Sequence, residues 1–259
     1  GQHTAANQAY PLSAQQLQMW TLFELDPTST AYTCPVTWRV RGELRVESLV
    51  GALRAVGAAQ DMLRTRYGYD EDTGQPAQWL YEASEWDPPV SEDMAINEEQ
   101  VEAAVAREME KAIDLRHGVV RLVVVHVEGG DEHVVLLLVH HMVTDGDGAP
   151  LHGGLIAAYN ALVGGEAMPE LRPEAQYLDW AAWQRALFEQ PCTCSRPRCQ
   201  RGKCSTLQCT LEWWRESLPG CGGSGELPVL ELQPDHPRPA VLTSNGDSAA
   251  VAPPSAAGG

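Results

Sequence analysis

His133-Val134-Val135-Leu136-Leu137-Leu138-Val139-His140-His141-Met142-Val143-Thr144-Asp145-Gly146 is the stretch on which the reading of this chain turns. Its first seven residues are apolar almost without a break, which is the pattern of a buried strand. Side chains on a strand alternate between faces, so the adjacent histidines at its end point in opposite directions. One is held by the interior; the other looks into whatever space lies beyond the sheet. Asp145 comes five residues after His140, and Gly146 behind it relieves crowding in a tight backbone. Two plainer readings stand beside a chemical one. A strand end and a turn look the same, with Asp145 capping its own loop, and histidines with a carboxylate are also ordinary metal ligands. The rest of the chain decides between them.

A chain of 259 residues is long enough for one large domain or two small ones with a proper core. Apolar residues make up 44% of it, which argues for a globular protein. Acidic residues outnumber basic ones by 35 to 18, a formal charge of −17. Such a surface repels nucleic acid and anionic membrane, so neither is an expected partner. Only Arg196, Arg198, Arg201 and Lys203 gather positive charge. The longest apolar runs fall far short of a membrane span. The first eight residues carry no signal-peptide pattern and no initiator methionine, as in a piece excised from something longer. Seven cysteines cannot all pair within one chain, and the expected setting is the reducing cytoplasm. Cys34 stands alone and reads as a small buried hydrophobe.

Ser13 is a plausible N-cap after Pro11, opening a short helix to Glu24. Val36, Trp38 and Val40 alternate with polar neighbours and predict a strand. Val46, Leu49, Val50, Leu53 and Val56 fall at helical spacing, with that helix running to about Ala59. A turn is expected around Asp72 to Pro76, and an amphipathic helix from Glu98 to Ile113. Strands over Val119–Val127 and His133–Val139 are joined by a turn at Glu128 to Asp131. Three further helix faces follow, on Leu151 to Leu162, Tyr177 to Leu187 and Leu211 to Leu218. Strands alternating with amphipathic helices imply an α/β layered architecture. From Pro219 onward Gly, Pro, Ser and Ala dominate.

Four ordered blocks resemble the condensation domains of nonribosomal peptide synthetases, within the acyltransferase superfamily built on the chloramphenicol-acetyltransferase fold. Ser13-Ala14-Gln15 matches the opening signature loosely, and Leu17 to Trp20 matches it better. Leu63-Arg64-Thr65 is intact, though Ala59-Gln60-Asp61-Met62 replaces the usual Arg-His-Glu lead-in. His140 to Gly146 is complete, and Tyr177-Leu178-Asp179-Trp180-Ala181-Ala182-Trp183 supplies the fourth block. The resemblance implies a sandwich whose N-terminal lobe has a mixed sheet and flanking helices.

On this reading residues 1–9 form a flexible N-terminus and 10–189 the N-terminal lobe. Residues 190–210 form a Cys-rich insertion, 211–245 a helix and a Pro-rich segment towards a second lobe, and 246–259 a disordered tail. The second lobe's signatures are absent from the chain, so an incomplete domain, inactive by itself, is expected. The insertion replaces an ordinary helix–helix connection. Its Cys192, Cys194, Cys199, Cys204 and Cys209 are weak zinc candidates, for the spacing follows no well-known finger and no histidine lies inside. An irregular loop and a disulfide knot stay open beside zinc, and no metal is part of the expected site.

The activity implied is aminolysis of a carrier-bound thioester by a carrier-bound amine. By the resemblance His141 sits at the centre of a tunnel, where it accepts the proton of the attacking ammonium or holds the amine in position, positioning being the larger share. Gly146 leaves room beside the pantetheine arm and offers a backbone donor to the oxyanion. His140 is structural, and Asp145 points away from substrate to pair with Arg64, fixing the loop that carries His141. His126 and His133 read as satisfied sheet residues, and Tyr177, Trp180 and Trp183 as core.

The protein itself needs no bound cofactor; both substrates arrive on phosphopantetheine arms. Carrier proteins and the adenylation domain of the same synthetase are the implied partners. Docking an acidic carrier on so negative a chain calls for local basic or apolar contacts. Two other readings remain: a stand-alone acyltransferase using CoA thioesters, and a non-catalytic carrier-docking remnant.

Overall fold

The computed structural model describes residues 8–129, 131–145, 148–192 and 205–217. Gly146, Cys194, Cys199, Cys204 and the segments expected to be a Pro-rich connection and a tail lie outside the described residues. The chain divides into two compact units, 1–207 and 208–259. The account that follows concerns chiefly the first.

The apolar run predicted as a strand is β7, Glu132–His140. It is central in a four-stranded sheet whose other members are β2 (Thr33–Arg41), β5 (Val90–Ala95) and β6 (Val120–Val127), in the order β2-β7-β6-β5. β7 runs antiparallel to β2 and β6, while β5 and β6 are parallel, so the sheet is mixed. The parallel pair is joined through helix α3, Glu98–Met109, because a parallel connection has to cross over the sheet. That helix ends four residues before the expected Ile113, which packs on the same core from the following loop.

β7 lacks polar alternation because both its faces are covered. Val135, Leu137 and Val139 face helices α2 (Val46–Ala59) and α4 (Ala149–Gly164) in one core. Val134, Leu136 and Leu138 face α3 in another. In α2, Gly57 allows the closest approach: a Cβ there would stand 2.0 Å from the Trp86 ring.

A second sheet, β1-β4-β3, is built from β1 (Tyr10–Pro11), β3 (Thr65–Tyr69) and β4 (Pro76–Leu80). The turn expected at Asp72 to Pro76 closes the β3–β4 hairpin, with Gly74 at φ 64°. Helix α1, Ala14–Leu25, packs on this sheet through Trp20 and Phe23, and α5, Tyr177–Glu189, adds Leu178 to the same core. Ser13 caps α1 as its sequence predicts. Its hydroxyl accepts from Gln16 N, and the Gln16 side chain accepts from Ser13 N. A further helix, α6, covers Thr206–Ser217.

One expectation about packing holds for Tyr177, which packs half-buried against the smaller core, and fails for Trp180 and Trp183. Helix α5 buries Leu178, Ala181 and Gln184, leaving Trp180 37% and Trp183 59% exposed. The buried stripe begins one residue later than the aromatic stripe, and one residue is a rotation of about 100° on a helix. The indoles therefore sit off the core face.

Candidate active site

The two histidines diverge as strand alternation requires. His140, the last residue of β7, is buried; His141, the first beyond it, is exposed on a cleft of about 920 Å³. The cleft is bounded by α1, α4, α5 and the turns beside them, with Met19, Met62, Met142, Val143 and Leu171 among its apolar walls. The His141 backbone N–H donates to Tyr32 O at 2.8 Å, anchoring the chain as it leaves the sheet. Asp145 and Thr144 line the same cleft.

His140 Nδ1 accepts from the Met142 backbone N–H at 3.1 Å, so its own proton sits on Nε2. Burial, with a smaller contribution from the neighbouring His141, pushes its pKa down to about 4 from 6.5. The imidazole is neutral at working pH and braces the turn as an acceptor. This coupling has a sign. The unfolded chain protonates near 6.5 and the folded one near 4, so the unfolded state binds more protons between those values. Stability then falls as pH drops from about 6.5 to 4, by about 3 kcal/mol. Denaturant unfolding followed across pH 4–7.5 checks this. His140→Leu should flatten that part of the profile, and an equal slope in the variant would remove His140 as its origin.

Among the described residues the expected Arg64–Asp145 pair is not formed. Arg64 closes a 3₁₀ turn over Asp61–Arg64 and pairs with Asp61, Nη2 to Oδ1 2.5 Å, with side chains 10% and 5% exposed. Residues three apart eclipse one another in a 3₁₀ turn, so Asp61 meets the guanidinium before any distant carboxylate does. Arg64 also donates to the Tyr81 carbonyl. Asp145, expected to point away from substrate, is exposed and lines the cleft. Its backbone carbonyl accepts from Gly148 N at 2.9 Å, closing the loop beyond the histidines.

A glutamine network with no counterpart in the sequence-based expectations supports the cleft from below. Gln16, 1% exposed, donates to Tyr67 OH at 3.2 Å and to Gln78 Oε1 at 2.8 Å, and Gln78 donates back at 3.0 Å and to Pro11 O. Gln176 accepts from Asp61 N at 3.0 Å and donates to Ala59 O at 2.8 Å, tying the start of α5 to the Arg64 turn. Ser13 Oγ lies 2.9 Å from Tyr177 OH, and Gln184 accepts from Ala14 N. Buried amides spend their donors and acceptors on neighbours and hold separate elements at fixed spacing. The one available signal was polar residues inside otherwise apolar helix faces.

His126 and His133 lie away from this cleft as satisfied sheet residues. Their Nδ1 atoms are 2.9 Å apart across β6 and β7, and His126 Nε2 is 2.9 Å from Glu92. Cys192 and Cys209 are buried. Among the described residues no group of three or more His, Cys, Asp and Glu side chains is placed to hold a metal. Nor is any helix among them long and apolar enough to cross a membrane.

A mixed sheet covered on both faces thus ends in a buried and an exposed histidine over a large cleft. The sequence profile of the Condensation domain family matches residues 6–193, and the chain belongs to that family. A linear gramicidin synthase of Brevibacillus parabrevis is 32% identical over 242 residues, 91% of this chain and 3% of that protein. The Dimodular nonribosomal peptide synthase of Bacillus subtilis (strain 168) is 32% identical over 240 residues, 92% of this chain and 9% of that protein.

Among solved structures, the first condensation domain of the CDA synthetase superposes with a TM-score of 0.57 at 23% identity, over 70% of this chain and 46% of that one. The X-domain solved in complex with OxyB from teicoplanin biosynthesis gives a TM-score of 0.69 at 27% identity, over 92% of this chain and 48% of that one. The chain thus spans a few per cent of the synthetases it matches and just under half of the solved chains.

Proposed function

We propose that this chain contributes the histidine-bearing half of a domain that joins two carrier-bound substrates in nonribosomal peptide synthesis. The observation that carries the reading is the divergence of the histidine pair, His140 buried and neutral, His141 exposed on the cleft wall. In the reaction an amine attacks a thioester carbonyl, a C–N bond forms, the C–S bond breaks and a thiol leaves. His141 takes the ammonium proton or holds the amine against the carbonyl, and orientation supplies the larger share. Negative charge that gathers on the carbonyl oxygen needs a donor, and the backbone at Gly146 is our candidate. Asp61, with Arg64, fixes the turn that carries Met62 into the cleft; Asp145 shapes the cleft beyond His141.

The chain needs no cofactor of its own on this reading. Both substrates come on phosphopantetheine arms of carrier domains, loaded by an adenylation domain of the same synthetase, in the cytoplasm. The test joins residues 1–259 to the other half of a condensation domain and supplies two loaded carriers. Peptide product from carriers, and none from CoA thioesters, is expected. Product from CoA thioesters alone assigns the chain to the stand-alone acyltransferases. Residues 1–259 by themselves are expected to give no product, since they match only 46% and 48% of the solved chains.

A docking module is the second reading, favoured by the match to the X-domain over 92% of this chain. Carrier binding without turnover, unchanged by His141→Ala, would establish it.

A further inference from the structure

Helix α4 has an anomaly on its cleft side. Gly153 and Gly154 sit in the middle of a 16-residue helix, where each glycine is destabilising relative to alanine. Close packing justifies such a residue when a Cβ would collide with something. At Gly154 a Cβ would stand 3.4 Å from Leu171, an ordinary contact. At Gly153 it would meet nothing within 4 Å, and the helical backbone there does not require glycine. Gly153 is therefore explained neither by packing nor by conformation. It does line the His141 cleft, as does Ala157 one turn along. The wall these two residues make has no side chain longer than a methyl group. Met19, Met62 and Met142 line other parts of the cleft, and thioether side chains adapt to varied apolar shapes.

We propose that Gly153, with Ala157, sets the width of the cleft beside His141 and selects acyl thioesters whose acyl group is bulky and apolar. This rests on the functional reading above and names the substrate class of the same site. A larger residue at Gly153 fills the space the acyl chain takes, while the thioester end and the histidine are untouched. Gly153 is a specificity-determining residue and not a catalytic one.

The test titrates purified residues 1–259 with octanoyl- and acetyl-N-acetylcysteamine by calorimetry, and records thermal melts of the same proteins. Wild type should bind the octanoyl thioester more tightly than the acetyl one. Gly153→Leu should weaken octanoyl binding by about tenfold or more and leave acetyl binding within about twofold. Gly153→Ala should raise Tm by about 2 °C or more, because helix propensity improves with nothing in the way. A lower Tm for Gly153→Ala would mean a packing role and overturn the proposal. So would equal octanoyl affinity in wild type and Gly153→Leu, leaving the functional reading intact. Failure of wild type to bind either thioester would sink both.

Discussion

Arg64→Met is expected to lower the stability of the fold by about 3–5 kcal/mol, the range for breaking one side of a buried ion pair. The guanidinium is 10% exposed and holds Asp61 at 2.5 Å, so its removal takes the cation from a carboxylate that water barely reaches. The Tyr81 carbonyl loses a charged donor at the same time. Chemical denaturation compares the variant with wild type, and a loss below about 1 kcal/mol would show that the pair is as weak as a surface one. Pairing the change with Asp61→Leu should recover much of the loss, since an apolar pair of similar volume leaves no charge stranded. The same turn carries Gln60 and Met62 into the cleft, so the single variant should also weaken ligand binding there.

His141→Ala should do the opposite: cut condensation by about 10²–10⁴-fold, the usual share of a positioned acid or base, and leave stability within about 0.5 kcal/mol. The contrast follows from exposure, because His141 packs against little and faces the cleft. Initial rates with two loaded carriers, on the joined domain, measure it. Rates that fall only a few-fold would take His141 out of the chemistry. Raising pH separates its two roles. If His141 chiefly takes the proton, the variant should recover as the amine deprotonates in solution; if it chiefly positions the amine, the deficit should persist at every pH.

The central strand and the opposed directions of the histidines were legible in the sequence because they depend only on alternation along one strand. The Ser13 cap and the Asp72–Pro76 turn were legible for a similar reason, each being set by neighbours a few residues apart. The partner of Arg64 was not. A 3₁₀ turn of four residues brought Asp61 to it, and hydrophobic periodicity gives no sign of so short a turn. The buried face of α5 was also misread, since a stripe of aromatic residues and the stripe that packs differed by a single position. The glutamine network escaped because its members come from places as distant as Gln16, Gln78 and Gln176, and a polar residue declares its burial only through partners.

The cleft lies between two hydrophobic cores of one compact unit. Leu151, Leu155 and Ala158 root α4 in the core under the larger sheet, while Trp20, Met62 and Leu178 root the facing wall in the core of the smaller one. Val143, two residues past His141, touches both. The placement of His141 consequently depends on both cores, so a packing defect under either sheet reaches the cleft.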